Sequence, residues 1–168
     1  MKTVALVIAE KGFRDEEYQV PHDILKDAGF NVLTVSTTTE EAVGRFGLKV
    51  TPDTLITDLV AKTLDALVFI GGGGSEQYFE DPLAHKLATT MVDEDKVLGA
   101  ICIAPVILAN AKLLAGRRAT VFPDGAEVLK EMGAIYTGAD VEVDGKIITG
   151  NGPEAAKDFA EALVKLLS

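Results

Sequence analysis

One cysteine stands in this chain of 168 residues, and its neighbours say what it is placed to do. It falls in Val97-Leu98-Gly99-Ala100-Ile101-Cys102-Ile103-Ala104-Pro105-Val106-Ile107-Leu108. The run up to Ile101 reads as a short buried strand. Pro105 suits the first turn of a helix, where its missing N–H is not needed. Cys102 therefore lands at a sharp strand-to-helix junction. A nucleophile elbow uses that geometry: the side chain is pushed above the sheet, and free backbone N–H groups at the helix start face negative charge beside it. Those donors favour thiolate over thiol, and the thiolate is the reactive form. A lone cysteine in an apolar run also reads as a small buried hydrophobe. An inert one, however, has no reason to sit at the turn instead of mid-strand.

Three further groups could join the sulfur. Gly71-Gly72-Gly73-Gly74 is neither G-x-x-x-x-G-K-[ST] nor G-x-G-x-x-G, which argues against a phosphate loop. Glycine lets a backbone N–H approach a ligand closely, so one glycine N–H with that of Ile103 would make a two-donor oxyanion hole. A tight turn that merely needs glycine is the alternative. Asp15, Glu16 and Glu17 open a helix, where acids suit the positive end of the dipole. One of them reaching the thiol would either hold its own proton and hydrogen-bond the sulfur, or accept a hydrogen bond from an oxidised form of it. Histidine is the gap. A thiol hydrolase needs an imidazole in reach as base and then acid, and the chain has only His22 and His85. His22 lies about 140° around a helix from Glu17, and His85 reads as a surface residue.

The elements that must position these groups read as alternating strands and helices. Thr3 to Ala9 is a near-continuous apolar strand, as a parallel strand covered on both faces should be. A helix over Glu16 to Ala28 follows, capped by Gly29. Phe30 to Ser36 is a β-branched strand, and strand-helix-strand implies a parallel pair with a right-handed crossover. Thr37 to Thr57 is irregular, an edge excursion with a short strand near Leu48 to Val50. Ala66 to Ile70 is a buried strand, Asp81 to Val92 a helix, and Val97 to Ile101 the strand that delivers Cys102. Ala119 to Phe122 leads into the turn Pro123-Asp124-Gly125 and a short helix near Ala126 to Met132. Asp144-Gly145 between two β-rich runs predicts a hairpin, and Glu154 to Leu167 a closing amphipathic helix. The expected fold is a doubly wound, mainly parallel α/β sheet, flavodoxin-like, with helices on both faces and a small antiparallel hairpin. The turn after strand one, the glycine run and Cys102 all reach the carboxyl edge, where such sheets bind ligands.

The chain length predicts a single domain spanning residues 1–168. A lone cysteine excludes an internal disulfide and fits a reducing cytoplasm. One Cys and two distant His do not make a zinc site, and no metal or organic cofactor is implied. No run has the length of a membrane span or the form of a signal peptide. A net charge of −10 argues against nucleic acid as partner.

Ala100-Ile101-Cys102-Ile103-Ala104-Pro105 resembles the cysteine elbow of the ThiJ/PfpI superfamily of intracellular proteases and deglycases, and the resemblance extends over almost the whole chain. It implies that Glu17, four residues before Pro21, hydrogen-bonds the cysteine. Ile70-Gly71-Gly72 stands where the family has Pro-Gly-Gly, making Gly72 the oxyanion-hole glycine beside Ile103. Val141 to Thr149 matches the family hairpin, and Gly152-Pro153 the turn before its last helix. Asp15, Gly73, Phe122, Asn151 and Pro153 become neighbours of the site.

The departures matter as much. Protease-type members carry His directly after the cysteine, where this chain has Ile103. Deglycase- and glyoxalase-type members carry His before the proline corresponding to Pro123, where this chain has Phe122. An arginine often precedes the Gly-Pro turn, and here it is Asn151. The resemblance further implies a homodimer or larger homo-oligomer; in peptidase-type assemblies a neighbouring subunit completes the triad. Four functions follow as expectations. The first is a redox-responsive or stress-protective cysteine–glutamate site meeting a small-molecule oxidant or substrate. The others are a glyoxalase- or deglycase-type enzyme for small carbonyls, a cysteine peptidase or amidase, and a non-catalytic chaperone or interaction protein.

Overall fold

Parallel strands covered on both faces must be apolar along their length, and the central strands of this protein are. A computed structural model describes residues 1–168. In it β1 (Thr3–Val7), β6 (Ala66–Phe69) and β7 (Val97–Ile101) are buried almost end to end. With β2 (Asn31–Ser36), β5 (Thr54–Leu55), β10 (Val141–Asp144) and β11 (Ile147–Gly150) they form one seven-stranded sheet, ordered β10-β11-β7-β6-β1-β2-β5. Every pairing is parallel except β10 with β11. The expected flavodoxin-like α/β sheet with a small hairpin is what forms.

Alternate residues of β1 face opposite layers, as the period of two requires. Ala5 and Val7 pack with α2 (Pro82–Asp93), α3 (Pro105–Asn110) and α4 (Ala126–Glu131). Val4 and Leu6 pack instead with α1 (Asp15–Asp27) and α5 (Ala156–Leu167), through Leu25, Phe159 and Leu163.

The differences from the sequence reading lie in short elements. Within the irregular stretch, β3 (Ala42–Val43) and β4 (Lys49–Val50) pair antiparallel, and β5 adds the outermost parallel strand beside β2. Two more two-residue strands, β8 (Arg118–Ala119) and β9 (Ile135–Tyr136), pair outside the main sheet. Elements of two residues carry no periodicity to read. The hairpin turn is Gly145-Lys146, because Asp144 pairs with Ile147; Gly145 takes φ +63°, which suits glycine. No helix is long and apolar enough to cross a membrane.

Candidate active site

The chain leaves β7 through a residue in the left-handed region: Cys102 has φ +65°. A non-glycine residue there costs about 1–2 kcal/mol, so its surroundings must hold it. They do so on both sides. Its N–H donates to the Gly150 carbonyl at 2.9 Å, and its carbonyl accepts from the Phe122 N–H at 2.7 Å. Helix α3 starts only at Pro105 and is six residues long. The donors that stabilise charge on the sulfur are instead the N–H groups of Gly72 and Ile103. Gly72 has φ +99°, and a Cβ there would come within 2.5 Å of the Arg14 nitrogen and the Gly12 carbonyl. Only glycine turns the backbone N–H toward the sulfur at that point.

Successive helix residues are about 100° apart, and the three acids that open α1 point three ways. Asp15 accepts from the N–H groups of Phe46 and Leu48, at 3.1 and 3.0 Å. It therefore anchors the 44–48 loop and does not line the cavity over Cys102. Glu16 pairs with Arg14, 2.6 Å from its Nε. Glu17 turns inward and is fully buried, its carboxyl facing the Cys102 thiol and the Gly71 N–H. Gly71 makes room for it: a Cβ there would lie 2.6 Å from the Cys102 Cβ and 2.7 Å from Glu17 Oε1.

Burial raises the Glu17 carboxyl to about 7, against weaker opposing pulls from the Cys102 thiol, Arg14 and the Gly71 N–H. Burial likewise pushes the Cys102 thiol up to about 12, helped by the charge and hydrogen bonding of Glu17 and opposed by the Gly72 and Ile103 N–H groups. The expectation that backbone donors at the elbow tip this sulfur toward thiolate is thus corrected. Desolvation and the neighbouring carboxylate outweigh them. The part of that upward push due to Glu17's charge vanishes when Glu17 is protonated. Thiolate is therefore favoured in the state where the carboxyl keeps its proton.

The sulfur is not sealed in. Cys102 is 9% exposed and lines a cavity of about 250 Å³ with Arg14, Arg45, Gly72, Gly73, Ile103, Phe122, Asp124 and Pro153. Asn151 lies in the adjoining groove with Phe122 and Pro153, its amide directed to Asp140. Neither histidine reaches the sulfur's cavity: His22 pairs with Asp23, and His85 Nε2 meets the Phe79 carbonyl. Arg14, Arg45 and Asp124 were not singled out from the sequence. Arg14 had a readable signal, because a cation at a helix start opposes the dipole. Arg45, in an irregular glycine-flanked loop, had none.

Residues 2–166 match the DJ-1/PfpI family. The chain belongs to the DJ-1/PfpI family. An uncharacterized protein of Methanocaldococcus jannaschii is 40% identical, over 98% of this chain and 82% of its own length. The crystal structure of a ThiJ/PfpI domain protein from Brachyspira murdochii superposes with a TM-score of 0.95 at 33% identity, covering 98% of this chain and 95% of that one. Toxoplasma gondii DJ-1, in an oxidized form, superposes with a TM-score of 0.90 at 28% identity, covering 99% and 91%. The elbow, the glycine turn and the inward glutamate described above are thus features of a DJ-1/PfpI chain.

Proposed function

We propose that Cys102 and Glu17 form a redox-responsive site, in which oxidation of the sulfur is the event the protein answers to. The observation that carries this is Glu17, fully buried with its carboxyl turned onto the Cys102 sulfur. Burial makes the anion costly and raises the carboxyl to about 7, so near neutral pH a large share of the molecules carry a Glu17 O–H with a hydrogen bond to offer. Peroxide gives one oxygen atom to the sulfur and leaves as water, producing a sulfenic acid; a second peroxide repeats the step and produces a sulfinate. The sulfinate oxygens accept from the Gly72 and Ile103 N–H groups and from the Glu17 O–H, so each polar group already aimed at the sulfur gains a partner. The oxidized state of the Toxoplasma gondii relative supports the same reading. A stress-protective role is its biological form.

The test is intact-mass spectrometry during a peroxide titration. The protein gains two oxygen atoms at Cys102 and stops there, whereas Glu17→Ala passes on to the three-oxygen product or stays reduced. A thiol unchanged by peroxide would sink the proposal.

One observation favours a second reading, an enzyme acting on small carbonyl compounds. A carboxyl held at about 7 exchanges protons readily at neutral pH, as a general acid and base must. Cys102 would add to the aldehyde carbon as a hemithioacetal, and Glu17 would carry the C–H proton to the neighbouring carbon through an enediol to leave a thioester. Water would then cleave the C–S bond to release lactate and the thiol. Lactate formed from methylglyoxal, and lost in Cys102→Ser, is its signature. A peptidase gains no such support, since no imidazole lines the cavity to protonate a leaving amine.

A further inference from the structure

The cavity over the sulfur is lined by positive charge as well as by the elbow. Two of the chain's four arginines, Arg14 and Arg45, line it, in a protein of net charge −10. Their placement is built. The Asp15 carboxylate holds the 44–48 loop through the Phe46 and Leu48 N–H groups, and that loop carries Arg45 into the cavity lining. The Phe46 ring lies 4.7 Å from the Arg14 guanidinium carbon and 5.7 Å from that of Arg45, so one aromatic ring serves both cations. Glu16 occupies Nε and one terminal nitrogen of Arg14, leaving the other terminal nitrogen unused. Arg45 takes part in none of the ion pairs, and its whole fork is open.

We propose that the Cys102 cavity is selective for small monoanionic carboxylates, held by the Arg45 fork with Arg14 beside it so that the other end of the molecule meets the sulfur. This rests on the reading that Cys102 is the reacting group and names the class of molecule presented to it. The carboxylate follows from the open guanidinium, whose planar fork matches two carboxylate oxygens. Smallness follows from volume: about 250 Å³ holds roughly eight waters, below the size of drug-scale pockets. Monoanion follows from charge balance: Glu16 already pairs Arg14, so Arg45 is the one unpaired cation of the lining, and Asp124 in the same lining adds repulsion against any further negative charge.

Two alkylating reagents of equal size, iodoacetate and iodoacetamide, decide it, because they differ chiefly in charge. In each the sulfur forms the S–C bond, iodide departs with the C–I electron pair, and the thiol proton passes to Glu17 or solvent. The expected ratio of iodoacetate to iodoacetamide rate constants exceeds that of glutathione by about tenfold. It falls back in Arg45→Gln but not in Arg118→Gln, a guanidinium that pairs with Glu142 away from the cavity. A ratio equal to that of glutathione, or one indifferent to Arg45, overturns the proposal. Titration of pyruvate against inorganic phosphate, followed at the Arg45 Nε–H by NMR, reads binding without any reaction. A saturable shift with pyruvate supports the assignment; no shift, or tighter binding of phosphate, overturns it. Inertness to both alkylating reagents would instead remove the reactive-cysteine reading, while the titration still decides the carboxylate site.

Discussion

The Glu17 carboxyl is fully buried, and the titratable group it hydrogen-bonds is the Cys102 thiol. Burial raises the pKa of both, so the two compete over where one negative charge resides. The competition makes the pair sensitive to any event that changes the charge on sulfur. Oxidation to a sulfinate is such an event.

Stability should carry the mark of Glu17. Its carboxyl titrates near 7 in the folded protein and near its ordinary value of 4.5 when unfolded. Between those values the folded state binds the extra proton, so stability falls as pH rises through the window and is fully present below it. The whole drop is about 3 kcal/mol. Urea unfolding of the protein and of Glu17→Gln from pH 4 to 8 should show the difference between them change by that order. Parallel curves would mean Glu17 is charged at no cost.

The close approach at Gly71 gives a sharper steric test. A Cβ at Gly71 meets Cys102 Cβ and the Ile101 carbonyl at 2.6 Å, whereas a Cβ at Gly73 meets nothing within 4 Å. Gly71→Ala should cost about 2 kcal/mol or more, by overpacking that separates sulfur and carboxyl. Gly73→Ala should stay within about 0.5 kcal/mol of the parent. Chemical denaturation of the two variants checks the contrast, and equal costs would contradict it.

Much of this site was legible in the sequence because it rests on local rules. The apolar runs of β6 and β7 mark buried parallel strands, and Pro105 three residues after Cys102 marks the elbow. Legibility stopped where tertiary structure takes over. Helix geometry says that Asp15, Glu16 and Glu17 diverge, but not which one faces the sulfur; that depends on how α1 docks on the sheet. Backbone donors beside Cys102 were readable, yet the desolvation that outweighs them was not, since burial comes from elements distant in sequence. Strands β5 and β8 are too short to show a period. Arg45 reaches the cavity only because Asp15, thirty-one residues before Phe46, holds its loop.

That anchor is itself testable. Asp15→Ala removes a charged acceptor from two backbone N–H groups, and hydrogen bonds to a charged group are worth about 1.5–3 kcal/mol each. Amide exchange at Phe46 and Leu48 should quicken by about tenfold or more, with exchange in β1 and β7 changed far less. The iodoacetate preference should drop together with the loop. Asp15→Asn, which keeps one acceptor oxygen, should recover part of both. Unaltered exchange at these two amides would show that the loop is held by something else.

The last prediction concerns the missing imidazole. Phe122 lines the cavity with Cys102 and is 37% exposed, so its side chain has room to change. It precedes Pro123, the position where glyoxalase-type relatives of this fold are expected to carry a histidine. The backbone there is fixed independently of the ring, by the bond from the Phe122 N–H to the Cys102 carbonyl. Phe122→His therefore introduces a group that titrates near neutrality beside the sulfur, with the elbow intact. General acid–base catalysis contributes about 10²–10⁴-fold when well placed. Lactate formation from methylglyoxal in Phe122→His should accordingly exceed that of the parent by at least about tenfold, and Cys102→Ser should abolish the gain. A gain that survives loss of the sulfur would place the new chemistry outside the elbow. No gain, with the fold retained, would show that this cavity lacks more than a base, which returns the weight to oxidation of Cys102 as the protein's working chemistry.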